Sequence, residues 1–170
     1  MRQLLPVAER LVRRAREVGV CFIVNDRLDL ALAVEADGLH VGQDDLPARS
    51  ARRLLPARIL GVSSHSLPQA VEARASGADY VAIGSIFPTS TKAEVHLVGI
   101  EAIRLLRSRV RQPLIAIGGI TLENVASVIH AGADGVAVIS AVCGAEDPAG
   151  ATRAFLRRIA EAKGARVLVP

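Results

Sequence analysis

The sequence predicts an α/β fold built on a parallel sheet. Short β-rich runs alternate with helix-like stretches along the 170 residues. Strict alternation of this kind is typical of strand–helix–strand units with right-handed crossovers. Hydrophobic residues make up 51% of the chain and aromatic residues only 2%, so the core must consist of Ala, Val, Leu and Ile. Aliphatic cores suit parallel strands that helices cover, and a chain of this length is expected to form a single domain over residues 1–170.

Six strands and seven helices are expected. The predicted strands are Val20–Asn25, Gly38–Gly42, Ile59–Ser63, Tyr80–Gly84, Leu114–Gly118 and Gly135–Ser140. The predicted helices lie at about 3–18, 27–35, 47–55, 67–76, 99–110, 121–131 and 148–163. Pro47 and Pro68 stand near helix starts, where the missing N–H of proline is harmless. Thr121 and Asp147 are plausible N-terminal signals of their helices.

An Ala-Asp step recurs where helices end and strands begin. The segments Glu35–Gly38, Gly77–Tyr80 and Gly132–Gly135 each contain it. Each segment offers a small residue near the helix end and an aspartate before the next strand. The recurrence supports a chain built from successive βα units.

Two architectures fit this alternation: an open doubly wound sheet and a (β/α)8 TIM barrel. No G-x-G-x-x-G follows the first strand, which weakens the dinucleotide-binding alternative. The last two strands end in Ile117–Ile120 and Ile139–Ala141, which are rich in glycine and small residues. Such ends are typical of the phosphate sites that barrels form after their last two strands. The sequence therefore favours an incomplete barrel of about six βα units, with the first two strands missing.

Composition argues against several classes of partner. The net charge is +4, but the arginines are interspersed with acidic residues and no basic tract alternates with aromatics, so no nucleic acid is expected. No apolar run approaches the roughly 18 residues that a membrane span needs. Cys21 and Cys143 have no metal-ligand spacing and are expected to be small buried residues of a reduced compartment. These features predict a cytoplasmic protein with small-molecule substrates, and a homo-oligomer is one option.

The loop after the fourth predicted strand indicates a phosphate site. Gly84–Lys92 places a proline, the hydroxyl residues Thr89, Ser90 and Thr91, and a lysine at the C-terminal end of a strand. Ligands of α/β proteins bind at this end, and hydroxyls, backbone N–H groups and an ammonium all interact favourably with phosphate oxygens. Only two of the 21 Lys and Arg residues are lysines. A solvated loop cation is the alternative interpretation of Lys92.

Two carboxylates follow adjacent strands and predict a magnesium site. Asp26 and Asp45 would lie at the same edge of a parallel sheet as Lys92. Mg²⁺ prefers oxygen ligands and is commonly held by one or two carboxylates together with substrate phosphates. The alternatives are a turn or helix cap before Leu28 for Asp26 and an N-cap of the Pro47 helix for Asp45.

The histidines leave their roles open. His65 follows the third strand and could act as a general acid or base, or could hydrogen-bond its loop. His40, His96 and His130 have no partner spacing and are interpreted as structural or exposed. No nucleophile elbow, zincin motif, Walker-type loop or cysteine cluster occurs in the sequence.

Taken together, these segments resemble the thiamine-phosphate synthase family and its relatives, the thiazole tautomerases. The resemblance rests on Ile23–Arg27, Ala36–Leu46, Gly61–His65, Gly84–Lys92, Ala116–Thr121 and Gly132–Ala141. It implies a TIM barrel and a Mg²⁺-dependent transferase. The reaction joins 4-amino-2-methyl-5-hydroxymethylpyrimidine pyrophosphate to hydroxyethylthiazole phosphate, and gives thiamine phosphate and pyrophosphate. A pyrimidine carbocation that the thiazole nitrogen attacks would need no protein nucleophile.

The resemblance also implies roles for individual residues. Asn25 and Ser63 would contact the pyrimidine, and Asp26 and Asp45 would hold Mg²⁺. Lys92 would contact the departing pyrophosphate, and Lys92 and Ser63 would be the catalytic residues. The thiazole phosphate site would comprise Thr89, Ser90, Thr91, Gly119, Ile139 and Ser140.

Three functions remain open on the sequence. The Asp26–Asp45 pair and the Pro88–Lys92 loop favour a synthase, whereas a tautomerase would act through His65 without metal. The family's first strand, first helix and second strand, with a Gln-Leu-Arg-Glu-Lys-type motif, have no counterpart in the chain. An inactive ligand-binding remnant is therefore the third hypothesis.

Overall fold

The computed structural model describes residues 3–89 and 96–164. Its strands form one six-stranded parallel sheet in the order β1 to β6, so neighbours in sequence are neighbours in the sheet. A doubly wound sheet would reverse its strand order at a switch point, and the sheet has no such reversal. The predicted α/β architecture is confirmed: the strands and their helices form a curled, incomplete barrel.

Six strands and eight helices alternate through the described residues. The strands are β1 (Ile23–Asn25), β2 (Gly38–Val41), β3 (Ile59–Ser64), β4 (Tyr80–Ile83), β5 (Leu114–Ile117) and β6 (Gly135–Ala137). The helices are α1 (Leu4–Val18), α2 (Leu28–Ala33), α3 (Ala48–Leu54), α4 (Leu67–Ala75), α5 (Gly99–Arg107), α6 (Val125–His130), α7 (Ser140–Cys143) and α8 (Pro148–Ala162).

Two strand boundaries differ from the prediction by three residues, each for an identifiable reason, and the other strand boundaries differ by at most one residue. β1 begins at Ile23 rather than Val20 because Val20 still belongs to the end of α1. Gly19 adopts a left-handed conformation (φ 70°), and the N–H of Val20 donates to the carbonyl of Ala15 over 3.0 Å. β6 ends at Ala137 rather than Ser140 because the backbone turns at Ile139, where the short, unexpected helix α7 starts.

The aspartates of the Ala-Asp repeat hydrogen-bond the strands in pairs at the amino edge of the sheet. Asp37 precedes β2, and its carboxylate accepts a 2.7 Å hydrogen bond from the N–H of Phe22, just before β1. Asp79 and Asp134 make the same bond, each over 2.7 Å, to the N–H groups of Leu60 and Leu114. The repeated aspartate therefore links β1 to β2, β3 to β4 and β5 to β6.

In two of these three links between strands, an arginine also binds the aspartate. Arg52 donates to Asp79 over 2.5 Å and Arg107 donates to Asp134 over 2.7 Å. Both arginines also donate to backbone carbonyls of the loop that follows their helix. Charged hydrogen bonds of this kind are about twice as strong as neutral ones, so the amino edge is the bracing side of the sheet.

The core lies between the sheet and its helices. Alternate strand residues point to this side and are fully buried, for example Leu39, Leu60, Val81 and Leu114. Their aliphatic character matches the prediction from composition. The opposite faces of the same strands carry the polar residues His40, Ser63 and Tyr80.

One expectation is wrong. Cys21 and Cys143 are both exposed rather than buried, because Cys21 lies in the turn between α1 and β1 and Cys143 in the short helix α7.

No helix in the described part of the chain is long and apolar enough to cross a membrane.

We expect Asp134→Ala to lower the free energy of unfolding by about 1–3 kcal/mol, because it leaves the N–H of Leu114 and the guanidinium of Arg107 without their acceptor. Urea unfolding followed by circular dichroism measures the loss. Glu101→Ala is the matched control, since it removes a carboxylate that only pairs with Arg104 on the surface of α5. Equal, small losses for both variants would contradict the bracing role of the amino edge.

Candidate active site

The carboxyl ends of all six strands meet at the edge opposite the hydrogen bonds of Asp37, Asp79 and Asp134. A cavity of about 860 Å³ opens there. Among the residues that line it are Asp44, Ser63, His65, Thr89, Gly119, Ile139 and Ser140. Five of these (Ser63, Thr89, Gly119, Ile139 and Ser140) belong to the predicted substrate site, so the fold does bring them together.

The wall formed by β5, β6 and the following turns is suited to an anion. Gly118 and Gly119 have positive φ angles of 96° and 62°. A side chain on Gly119 would overlap Phe87 and the carbonyl of Pro88, so only glycine fits between this turn and the loop after β4. On the other side of the cavity wall, Ile139 and Ser140 are exposed at the start of α7. Backbone N–H groups and a hydroxyl are therefore available at this wall.

Ser63 is held from two directions. Its hydroxyl lies 2.8 Å from Nε2 of His40, and its carbonyl accepts a 2.6 Å hydrogen bond from the side-chain amide of Gln43. The other ring nitrogen of His40, Nδ1, lies 2.9 Å from the hydroxyl of Tyr80. The phenol of Tyr80 is protonated at neutral pH, and burial raises its pKa further above the ordinary value.

The strand register explains how these side chains meet. Asn25, His40, Gly61 and Tyr80 are partners across β1 to β4 and form one row on the inner face. Gly61 leaves a gap in that row, and the Tyr80 and His40 rings stack across it with centroids 5.4 Å apart. A methyl group on Gly61 would overlap both Tyr80 and His40.

His65 is oriented by the backbone. Its Nδ1 lies 2.5 Å from the carbonyl oxygen of Gly84. The backbone N–H of His65 donates to Oε1 of Gln69 over 2.7 Å. A carbonyl only accepts, so Nδ1 carries the proton and Nε2 of the neutral ring keeps its lone pair. His65 lines the cavity, so a proton acceptor is available there.

The predicted metal ligands lie outside the cavity wall but on the same edge. Asp26 follows β1, where its N–H donates to the carbonyl of His40 over 2.8 Å, and Asp45 follows β2. One oxygen of Asp45 accepts the N–H of Gly42 over 2.7 Å. Neither aspartate caps a helix, because the N-cap positions of α2 and α3 are Arg27 and Pro47. The cap interpretations are therefore wrong, whereas the alternative of a turn at Asp26 agrees with its positive φ of 64° between β1 and α2.

The donor set suits a two-carboxylate site. Within residues 3–89 and 96–164, no group of three or more His, Cys, Asp or Glu side chains is placed to hold a metal. Mg²⁺ does not need such a group, because it keeps several waters and takes one or two carboxylates. Asp26 and Asp45, which follow adjacent strands, supply the number and kind of ligands that this mode needs, and their binding of Mg²⁺ stays a prediction. Asn25 is exposed beside Asp26.

A bidentate ion pair flanks this part of the edge. The guanidinium of Arg27 donates to both carboxylate oxygens of Asp29, over 2.8 and 2.6 Å. This hydrogen bonding lowers the pKa of Asp29 to about 2. Asp29 is consequently an ionised carboxylate already paired with its own cation.

Part of the predicted site lies outside the described residues. Ser90, Thr91 and Lys92 fall in the segment 90–95, so their predicted phosphate contacts stay predictions.

Sequence reasoning missed the inner-face partners of Ser63. The sequence indicates only a structural or exposed role for His40 and His96, whereas in the structure His40 contacts Ser63 and His96 lines the cavity. One signal was available: His40 is the single polar residue of β2, Gly38–Val41, and alternates with buried neighbours. Its pairing with Tyr80, which is 40 residues away in sequence, required the strand register.

Comparison with known proteins identifies the family. The family model described as thiamine monophosphate synthase matches residues 1–142. The thiamine-phosphate synthase of Moorella thermoacetica is 50% identical over 165 residues, which cover 96% of this chain and 79% of the relative. The chain belongs to the thiamine monophosphate synthase family. The thiamine-phosphate synthase of Pyrococcus horikoshii is 46% identical, again over 96% of this chain and 79% of the relative.

Solved structures agree with this membership of the thiamine monophosphate synthase family. Thiamine phosphate pyrophosphorylase from Pyrococcus furiosus superposes with a TM-score of 0.89 at 41% identity, covering 95% of this chain and 78% of that one. N-(5'-phosphoribosyl)anthranilate isomerase from the same organism superposes with a TM-score of 0.68 at 17% identity. The second likeness concerns the fold alone.

We expect Gly61→Ala to displace Tyr80 or His40 and to destabilise the protein by about 1–3 kcal/mol, the usual cost of overpacking a well-packed interior. Thermal unfolding measures the change. Gly135→Ala is the matched control on β6, where the added methyl would meet only the flexible end of Ile115 at 3.3 Å. Wild-type stability of Gly61→Ala would mean that the gap in the inner row is not needed.

Proposed function

We propose that the chain is a thiamine-phosphate synthase. It would join 4-amino-2-methyl-5-hydroxymethylpyrimidine pyrophosphate to hydroxyethylthiazole phosphate. The bond between the pyrimidine methylene carbon and the pyrophosphate oxygen breaks, and the thiazole nitrogen bonds to that carbon. The observation that carries the proposal is the cavity at the carboxyl edge, which Ser63, Thr89, Gly119, Ile139 and Ser140 line together in a member of this family.

The thiazole phosphate would bind at the wall formed after β5 and β6. Gly119 lines the cavity, and its missing side chain leaves room for the loop after β4, which carries Thr89, to pack against this turn. The hydroxyls of Thr89 and Ser140 add donors at the same cavity.

The pyrimidine would bind on the side of Ser63. Its hydroxyl is half-buried and held by His40, so it is preorganised to meet a polar ring atom. A fixed substrate ring keeps its methylene carbon within reach of the thiazole nitrogen, and such positioning lowers the entropic part of a bimolecular barrier.

Mg²⁺ would be held by Asp26 and Asp45, with the pyrophosphate as its remaining partner. When bound, the ion would neutralise negative charge on the leaving pyrophosphate. With Asp26 and Asp45 as ligands of the ion, the site for the pyrophosphate end would lie at the β1–β2 side of the mouth, opposite the phosphate wall of β5 and β6. That separation would keep the two substrates' anionic groups apart, with their reacting atoms between them.

We expect the purified chain to form thiamine phosphate from both substrates only when Mg²⁺ is present. Asp26→Asn and Asp45→Asn should each lower kcat/KM by at least tenfold and raise the Mg²⁺ concentration needed for half-maximal rate, because each removes one anionic ligand. Asparagine keeps the acceptor that binds Gly42 at position 45, so the change is mainly one of charge. Product is measured by chromatography of quenched reactions.

Asp29→Asn is the matched control, since this carboxylate lies three residues after Asp26 and is already paired with Arg27. It should leave the Mg²⁺ dependence unchanged. Turnover independent of both Mg²⁺ and the two aspartates would reject the metal assignment. A folded chain that binds thiazole phosphate but makes no product would favour the ligand-binding remnant.

A second candidate function is thiazole tautomerase activity, which the orientation of His65 favours. The Gly84 carbonyl fixes the proton on Nδ1, so Nε2 can accept a proton from a substrate carbon in the cavity and return it elsewhere. This activity would need no metal. Thiazole carboxylate phosphate isomerisation that survives chelation and is lost in His65→Ala would support it, whereas synthase activity unchanged by His65→Ala with no isomerisation would reject it.

A further inference from the structure

The imidazole of His40 sits between two hydroxyl groups. Nδ1 lies 2.9 Å from the Tyr80 hydroxyl and Nε2 lies 2.8 Å from Oγ of Ser63. Both distances are those of good hydrogen bonds. A neutral imidazole donates through one nitrogen and accepts through the other, so the direction of one bond sets the direction of the other.

Tyr80 determines that direction. A phenol is a stronger acid than an imidazole N–H, and an imidazole lone pair is a better acceptor than a phenol oxygen, so the Tyr80 O–H donates to Nδ1. A phenol is protonated at neutral pH at its ordinary pKa, and burial raises the pKa of Tyr80 further. The ring proton of His40 is then on Nε2, which donates to Oγ of Ser63.

Ser63 is left with a hydroxyl proton that cannot point at His40. The residue lines the cavity, and the bond from Gln43 to its carbonyl holds the backbone in place. Its hydroxyl therefore presents a donor to whatever occupies the cavity. With the opposite tautomer, Ser63 would donate to His40 and present only lone pairs.

We propose that Tyr80 and His40 are positioning residues that orient the Ser63 hydroxyl as a hydrogen-bond donor toward a ring nitrogen of a heteroaromatic substrate. The hydrogen bonds from Tyr80 to His40 and from His40 to Ser63, called the relay below, are inferred from distances within this chain. The identity of the heteroaromatic group as the pyrimidine rests on the proposed function. An acceptor-bearing ring gains a hydrogen bond in this arrangement, whereas with the opposite tautomer Ser63 would have no proton to offer it.

Nitrogen NMR of histidine tests the relay without any requirement for activity. In the ¹⁵N-histidine-labelled chain at neutral pH, we expect His40 to be the Nε2–H tautomer, with its signals assigned from their loss in His40→Gln. Tyr80→Phe removes the donor to Nδ1 and should shift the population toward the Nδ1–H tautomer. An Nδ1–H tautomer in the wild type would overturn the proposal.

A double-mutant cycle tests the role of the relay in recognition. Tyr80→Phe should raise KM for the pyrimidine pyrophosphate by about threefold to tenfold, the range expected for one lost neutral hydrogen bond, and leave KM for thiazole phosphate unchanged. In a Ser63→Ala background, Tyr80→Phe should add no further loss, because it acts only through Ser63. Additive losses, or equal changes in both KM values, would overturn the proposal.

Ser64→Ala is the matched control. Ser64 is the next residue on β3, fully buried on the opposite face, where its hydroxyl donates to the carbonyl of Ala82 over 3.1 Å. Its loss should lower thermal stability without changing either KM. If the wild-type chain folds but forms no thiamine phosphate, the proposed function fails, and the tautomer measurement still decides the relay.

Discussion

The parallel, in-register pairing of six sequential strands is the constraint on which the rest of the structure depends. It sends every amino end to one edge and every carboxyl end to the other. Asp37, Asp79 and Asp134 occupy the amino edge and bind the backbone of the neighbouring strand. Stability is thereby concentrated on one side, and the opposite side is free to carry ligand-binding groups.

The inner face shows how a barrel interior can be both packed and chemically useful. Because Gly61 has no side chain, Tyr80 can contact His40 across β3. His40 in turn contacts Ser63, whose row lies one step closer to the mouth. A buried polar network of this kind is stable only when its members are satisfied, and here each ring nitrogen of His40 has a partner. The interior below the cavity can thus dictate the proton position at its surface.

The sequence predicted the repeating architecture well because its signals are local. Aliphatic runs, the Ala-Asp steps and proline near helix starts each act within a few residues. The Asp147 cap is an example, since its carboxylate accepts the N–H of Gly150 over 2.9 Å. The turn of α1 through Val20 and the helix α7 were missed because they depend on backbone angles at Gly19 and Ile139 that composition does not encode.

The candidate site was predictable where strand ends alone determine position. Ser63, Thr89, Gly119, Ile139 and Ser140 reach one cavity because parallel strands require it. His40 and Tyr80 were not predictable, since their contact depends on register and on the missing side chain of Gly61. The exposure of Cys21 likewise follows from where a helix ends, which the apolar character of the residue does not reveal.

The two edges of the sheet have different roles: the amino edge stabilises the fold, and the carboxyl edge carries the candidate ligand-binding groups. Titration of the ¹⁵N-labelled chain with thiamine phosphate, followed by amide chemical shifts, tests that division most directly. The account predicts saturable shifts at Ser63, Gly119 and Ser140, with the amides of Leu60 and Leu114 at the opposite edge unmoved. Shifts centred on Leu60 and Leu114, or no saturable shift at the carboxyl edge, would contradict it.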